Sequence, residues 1–429
     1  MIFMFHILFI SLVPKVSEAS PSSIQAQIDA AEAGDTIEIQ AGLYEENITI
    51  DKPLHIIGQG DVSILGLDAT PVITMEASNS SISNLHIKQH IAAPDIPALS
   101  VTSHENNIEN LQIETIHGYG IHLDHAHKNN IKNVTISGSK HRPIIERHHG
   151  INVWKSDDNQ IIHTDITHVL DGVYLENSSR NKLQKNKVTN SRYGYHLMFT
   201  KQTELLENES TQNISGLYIM GADSPTVKYN KLYNNQQNNQ SLGLLLFDTV
   251  GAIVSNNQIL NNRIGVLIES ATNNQLKHNE IQGNYIGVQF IDAEENEINN
   301  NRFIANLVQG QAEKSANNSI DSNYWGDHVG LDITGDGKSN VPYEMNPFFL
   351  SITDTYPPFQ LFFQAPGLLF LEQLVTIEAG DKLVDDTPLL QVPSSESNTN
   401  NEQTGLVLLV SILSFSMSMI IIYLGVKKQ

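Results

Sequence analysis

Three side chains in this sequence have the types and the spacing to hold a soft metal ion: His196, Met198 and Met220. His196 and Met198 are two residues apart, and Met220 follows Met198 by 22. An imidazole with two thioethers is a donor set for copper(I) rather than for zinc, calcium or magnesium. Histidine is also concentrated here, with 13 of the 17 histidines between His86 and His196, among them His122, His125, His127, His148, His149, His163 and His168. His148 and His149 are counted as candidate ligands with the first three. A greasy methionine ladder among ordinary surface histidines is the rival explanation.

These residues converge only if the chain repeats with a period of 22, and it does. Glycine followed by alternating apolar residues recurs at Gly150, Gly172, Gly194 and Gly216, then, after a five-residue insertion, at Gly243, Gly265 and Gly287. A second marker keeps the same beat at Asn186, Asn208 and Asn230, then Asn257, Asn279, Asn301 and Asn323. Short strands separated by Asn and Gly every 22 residues predict an all-β fold, a right-handed parallel β-helix; helical repeats need longer units. The β-helix is expected over residues 20–325; each coil adds about 4.8 Å, so the roughly twelve to thirteen coils of residues 24–325 make a rod of roughly 55–60 Å. Asn tolerates left-handed turns and hydrogen-bonds to its counterpart one coil away. Ile24, Ile28 and Ala31 predict a short helix capping the first coil, which a bare strand edge requires.

Counting from each glycine, positions +1 and +3 are apolar throughout and must fill the tube. Positions +2 and +4 then face outward, because strand side chains alternate. Down the stack they read Asn152, Tyr174, His196, Tyr218, Leu245, Leu267, Gln289 and Trp154, Glu176, Met198, Met220, Phe247, Glu269, Ile291. So many aromatic and aliphatic groups on an outer wall imply a partner; Trp154, Tyr174, Tyr218, Leu245 and Phe247 are the candidates to meet it. Glycan cleavage on such a wall needs carboxylates roughly 5–10 Å apart. Glu176 and Glu269 are four coils apart, roughly 19 Å, so catalysis is disfavoured.

Composition narrows the options further. The 429 residues carry 47 acidic and 25 basic side chains, a net charge of −22. This counts against nucleic acid as a partner, since phosphate binding needs clustered cations. Cysteine is absent, which excludes disulfides, thiolate metal sites and a cysteine nucleophile. Residues 1–19 read as a secretory signal peptide. Residues 405–424 carry no charge and are long enough, at about 30 Å, to cross a bilayer as a helix. Lys427 and Lys428 in the tail 425–429 place that end in the cytoplasm. The polar stretch 393–404 reads as a flexible linker. The body is thus expected outside the cell, anchored to the plasma membrane.

Residues 326–392 form a closing segment. Tyr324 and Trp325 can plug the last coil, and Asp332 and Asp336 with Gly337 form a tight acidic turn, more fitting for structure than for calcium. Signal peptide, 22-residue coils, the Asn323-Tyr-Trp … Gly335-Asp-Gly … Pro342-Tyr motif and the Pro/Phe/Leu stretch after it resemble the NosD family. The resemblance covers roughly residues 20–390. It implies a non-enzymatic extracytoplasmic accessory protein for assembly of the copper centre of nitrous oxide reductase. The partners it implies are an ABC transporter membrane subunit with its ATPase, a copper-delivering lipoprotein chaperone, and the reductase itself. Asn340, where an acidic residue is usual, and the added membrane helix depart from that family. The resemblance supplies no metal ligands, so the His/Met set rests on the residues alone. The apolar run containing Phe359, Phe362, Phe363 and Phe370 is expected to dock on the transporter or to fold back as a cap. The alternative function is a carbohydrate-binding or carbohydrate-modifying surface β-helix, which Trp154 and Tyr174 would also suit.

Overall fold

The computed structural model describes residues 23–91, 95–238, 240–345 and 383–393. The expected leader, membrane helix and cytoplasmic tail, the expected linker beyond Pro393, and Phe359, Phe362, Phe363 and Phe370 lie outside the described residues. Among the described residues, no helix is long and apolar enough to cross a membrane.

The chain winds into a parallel β-solenoid of about 13 turns. One wall is a ladder of twelve parallel strands; the remaining walls form a 24-stranded sheet. The strands that carry the histidine and methionine residues are β1 (Ile151–Trp154), β2 (Asp171–Glu176), β3 (Tyr193–Met198), β4 (Ser215–Met220) and β5 (Leu242–Phe247). They pair in the expected register: Ile151 with Val173, Val173 with Tyr195, Tyr195 with Leu217 and Leu217 with Leu244. The five extra residues fall between Asn235 and β5: Asn213 bonds to Asn235 at a spacing of 22, and Asn235 to Asn262 at 27.

Positions +1 and +3 are fully buried, as the alternation requires; Ile151, Val173, Leu175, Tyr195, Leu197, Leu217 and Ile219 all belong to one continuous core. The asparagine ladder is continuous too. Asn257 donates its backbone N–H and its Nδ2 to Asn279 Oδ1 (3.0 and 2.9 Å), and its own Oδ1 accepts the same pair from Asn230. A second Nδ2 hydrogen reaches Val227 O at 2.9 Å. Every polar atom of this buried amide is therefore satisfied, which makes its burial tolerable. The left-handed turn residue is not the ladder asparagine, as the sequence reading has it. It is the residue before: Lys185, Glu207, Tyr229, Asn256, His278, Asn300 and Ser322 all have positive φ.

The glycine of each coil changes the reading of the wall. A Cβ on Gly172 would stand 2.4 Å from Val188 Cγ1 and 2.5 Å from Gly194 O, so position 0 faces the core just as +1 does. Alternation breaks at the glycine, and the residue before it is turned outward, onto the same wall as +2. Gly172→Ala forces a methyl into a filled space, a change that costs about 1–3 kcal/mol. A lowered urea midpoint with an unchanged m-value is the expected readout.

At the first coil a helix over Ile24–Ala30 closes the tube, with Ser23 Oγ accepting from Ala26 N–H (3.2 Å) and Ile24 and Ile28 buried. At the other end Trp325 is buried and stacked between Phe303 (4.2 Å) and Tyr343 (4.5 Å), so it does plug the rod. The acidic turn closes on itself: Asp332 accepts from Gly335 and Gly337 N–H, and Asp336 from Lys338 N–H. Three of its four carboxylate oxygens thus accept from the loop's own backbone.

Candidate functional site

The kink at each glycine builds a cluster that strict alternation hides. Position −1 of one coil meets position +2 of the next. Tyr119, His149, Asp171 and Tyr193 occupy −1; His122, Asn152, Tyr174, His196 and Tyr218 occupy +2. Their rings interleave along the rod axis. Tyr119 stacks on His122 (5.6 Å) and on His149 (5.7 Å), and His149 on Tyr174 (4.6 Å). Further along, Tyr193 stacks on Tyr218 at 4.1 Å.

At the centre lies Asp171, which is fully buried. Arg192 grips it with two parallel bonds, Nε to Oδ1 (2.8 Å) and Nη2 to Oδ2 (2.7 Å), and His196 Nδ1 lies 2.9 Å from Oδ2. Burial alone would raise the pKa of this carboxyl, but the hydrogen bonds from Arg192 and His196 outweigh it and hold the group at about 2. His149 Nδ1 is 3.4 Å from Asp171 Oδ2 but is not aligned for a hydrogen bond. Desolvation lowers the pKa of His149 to about 4 and also pulls down those of His122 and His148. These imidazoles are therefore neutral near pH 7, the form that can offer a lone pair.

His196 points away from the tube, yet it does not project into water as the sequence reading expects. It is 7% exposed, walled in by Tyr174, Tyr193 and Tyr218 at 4.9, 5.2 and 5.5 Å between ring centres. Its Nε2 is buried without a hydrogen-bond partner. Met198 and Met220 are partly exposed and pair across adjacent coils. The Tyr174 hydroxyl lies 2.9 Å from Glu176 Oε2 and 3.2 Å from Met198 Sδ. The carboxylate is the better acceptor, so the thioether keeps its lone pairs.

His148 and His149 do not share a rung with the methionines. His148 sits 3.4 Å from Asp95 Oδ1 and His149 faces Asp171, because both precede Gly150 rather than follow it. Among the described residues, no three His, Asp or Glu side chains are grouped to hold a metal ion; a site here would need the thioethers. The other histidines scatter: His86 and His90 approach Glu114, His104 stacks on His127, and His125 meets Trp154 edge-on.

Trp154, Tyr174, Tyr218 and Phe247 are outward and partly exposed, but Leu245 is buried, packed in register between Tyr218 and Leu267. It offers no surface to a partner. Sequence reasoning missed Asp171, Arg192 and Tyr193. The available signal was the repeating glycine itself, since a side chain there cannot fit and the backbone must turn.

Residues 138–337 match the family described as periplasmic copper-binding protein (NosD). No curated protein matches the chain. Among solved structures, similar folds include PfbA, a surface adhesin of Streptococcus pneumoniae, at 11% identity and a TM-score of 0.50, covering 73% of this chain and 89% of that one. A mannuronic acid specific polysaccharide family 6 lyase from human gut microbiota gives 12% and 0.50, covering 71% and 84%. The A-module of mannuronan C-5 epimerase AlgE6 from Azotobacter vinelandii gives 14% and 0.49, covering 70% and 87%. At such identities the likeness is one of fold.

Proposed function

We propose, from the NosD domain that residues 138–337 form, that the protein is a non-catalytic extracytoplasmic accessory factor handling copper. Copper(I) is its cargo, received or presented on the outer wall for assembly of the copper centre of nitrous oxide reductase. The observation that carries this reading is the orphaned, buried Nε2 of His196. It stands two residues from Met198, on the rung next to Met220. Imidazole and thioether are the donors a soft monovalent ion selects. The ion's partners in this reading are a copper chaperone lipoprotein and an ABC transporter whose membrane subunit docks near Phe359, Phe362, Phe363 and Phe370. The 405–424 helix keeps the rod at the membrane. Met198→Leu/Met220→Leu preserves volume and removes both thioethers. In competition with a chromophoric copper(I) chelator, wild-type protein is expected to bind copper(I) and the double variant to lose at least tenfold in affinity. Equal affinities would sink the reading.

A second reading, a carbohydrate-binding wall, is favoured by one feature. Tyr285 lines an open cleft of about 670 Å³ with Gln236 and Arg263, a ring beside polar side chains that suits sugars; the amides of Asn262, Asn284 and Asn306 in its floor are already bonded within the rod. Arg263 already covers the Tyr285 ring at 3.7 Å, and Lys155 covers Trp154 at 4.1 Å, so both rings would have to be uncovered. Retention on an acidic polysaccharide column, lost in Tyr285→Ala, would favour it over copper.

A further inference from the structure

The structure assigns Asp171, clamped by Arg192, as the positioning residue that aims His196 at a soft ion; this rests on the copper reading above. An ionised carboxylate has no hydrogen to give. The 2.9 Å contact between His196 Nδ1 and Asp171 Oδ2 therefore requires the hydrogen on Nδ1. A neutral His196 then carries its lone pair on Nε2, the nitrogen that is buried with no partner. The opposite tautomer would lose the Asp171 bond and bury an unsatisfied N–H at Nε2, a cost of about 1–3 kcal/mol. Arg192 makes the arrangement rigid. Its two bonds to Asp171 fix the carboxylate plane, and a bidentate guanidinium pair is the most directional clamp a protein has. The rings of Tyr174, Tyr193 and Tyr218 then limit rotation of the imidazole itself. A carboxylate on the far nitrogen raises the basicity of a ligating imidazole and sets its direction.

The placement follows from the fold. Asp171 precedes Gly172, and the inward turn of that glycine swings the carboxylate to the outer wall. Arg192 and His196 lie on the next coil, on either side of Gly194. Among the coils marked by a glycine from Gly120 to Gly287, no other has an acid at this position: Tyr119, His149, Tyr193, Ser215, Leu242, Ile264 and Ile286 stand there instead. Only His196 is therefore served in this way.

The test uses the full chain and copper(I) alone, buffered by a chromophoric chelator, with Asp171→Asn and Asp171→Glu. Long-range ¹⁵N–¹H correlation of the metal-free protein reads the His196 tautomer directly. In wild type, Nε2 is expected to be the unprotonated nitrogen. In Asp171→Asn the tautomers mix and copper(I) affinity falls about 10–100-fold, while Asp171→Glu recovers part of both. If the unpaired Arg192 prevents Asp171→Asn from folding, Asp171→Asn/Arg192→Met carries the measurement. Wild-type binding with an unchanged tautomer and affinity in the Asn variant overturns the assignment and leaves the copper reading standing. Wild-type protein that takes no copper(I) from the chelator overturns both.

Discussion

Asp385→Ala is expected to unravel the last coils of the rod. Asp385 is fully buried where the asparagine ladder ends. Its Oδ2 accepts from Asn323 N–H (2.9 Å), Asn323 Nδ2 (3.2 Å) and Trp325 Nε1 (3.0 Å). Its Oδ1 accepts from Ser322 N–H (3.1 Å) and Thr387 N–H (3.2 Å). Asn301, Asn279 and Asn257 each donate to the next asparagine in the same manner, so Asp385 stands where the next asparagine would be. Removing it strands Ser322 N–H, Asn323 N–H and Trp325 Nε1 in a dry environment, while Asn323 Nδ2 keeps Ile298 O and Asp321 O. One such donor costs about 1–3 kcal/mol, and hydrogen bonds to a charged acceptor lie at the upper end. The set is not additive, and a loss on the order of 4 kcal/mol is the expectation. A solenoid melts from its ends. Hydrogen exchange should therefore quicken first around Ile320, Trp325 and Phe303, with residues near Ile37 unchanged. The exposed neighbour provides the control: Asp386→Ala should leave exchange as it was.

The 22-residue period, the inward +1 and +3 rows, the capping helix and the Trp325 plug were all legible from residue types. Each follows from a rule that holds whatever lies beside it: apolar alternation, a regular beat of glycine, large rings at an open end. What escaped depended on how one coil sits on the next. Strict alternation predicts the outward rows but places Asp171 inside, because it has no provision for a backbone that turns at Gly172. Burial also escaped. A residue at +2 points away from the core whether or not its neighbours cover it, and His196 and Leu245 are covered by side chains from other coils. Asp385 was invisible for a third reason, since its partners lie about 60 residues earlier and no local pattern connects them.

The imidazoles of the wall make stability fall as pH drops through the range between the unfolded and folded values of His149. Burial holds its folded pKa at about 4, against an ordinary 6.5. Below 6.5 the unfolded chain takes up a proton that the folded chain refuses until about 4. Protons thus favour unfolding across that window, and stability rises with pH through it. A shift of this size corresponds to about 3 kcal/mol at 1.36 kcal/mol per unit. His122 and His148 are lowered in the same direction by the same cause and add to the slope. Asp171 acts lower down. Its folded value of about 2 lies below the ordinary 3.8, so its contribution is intact above 3.8 and is lost only as pH falls through 2. Between pH 7 and pH 4.5 the histidines therefore dominate, and Asp171 stays ionised. Denaturant midpoints of the metal-free protein should drop steadily over that interval, and His149→Gln should flatten the slope without lowering the midpoint at pH 7 by a comparable amount. A profile of His149→Gln parallel to wild type would mean that this imidazole titrates normally in the fold, and that the stacking of Tyr119 and Tyr174 on its two faces does not keep water from it.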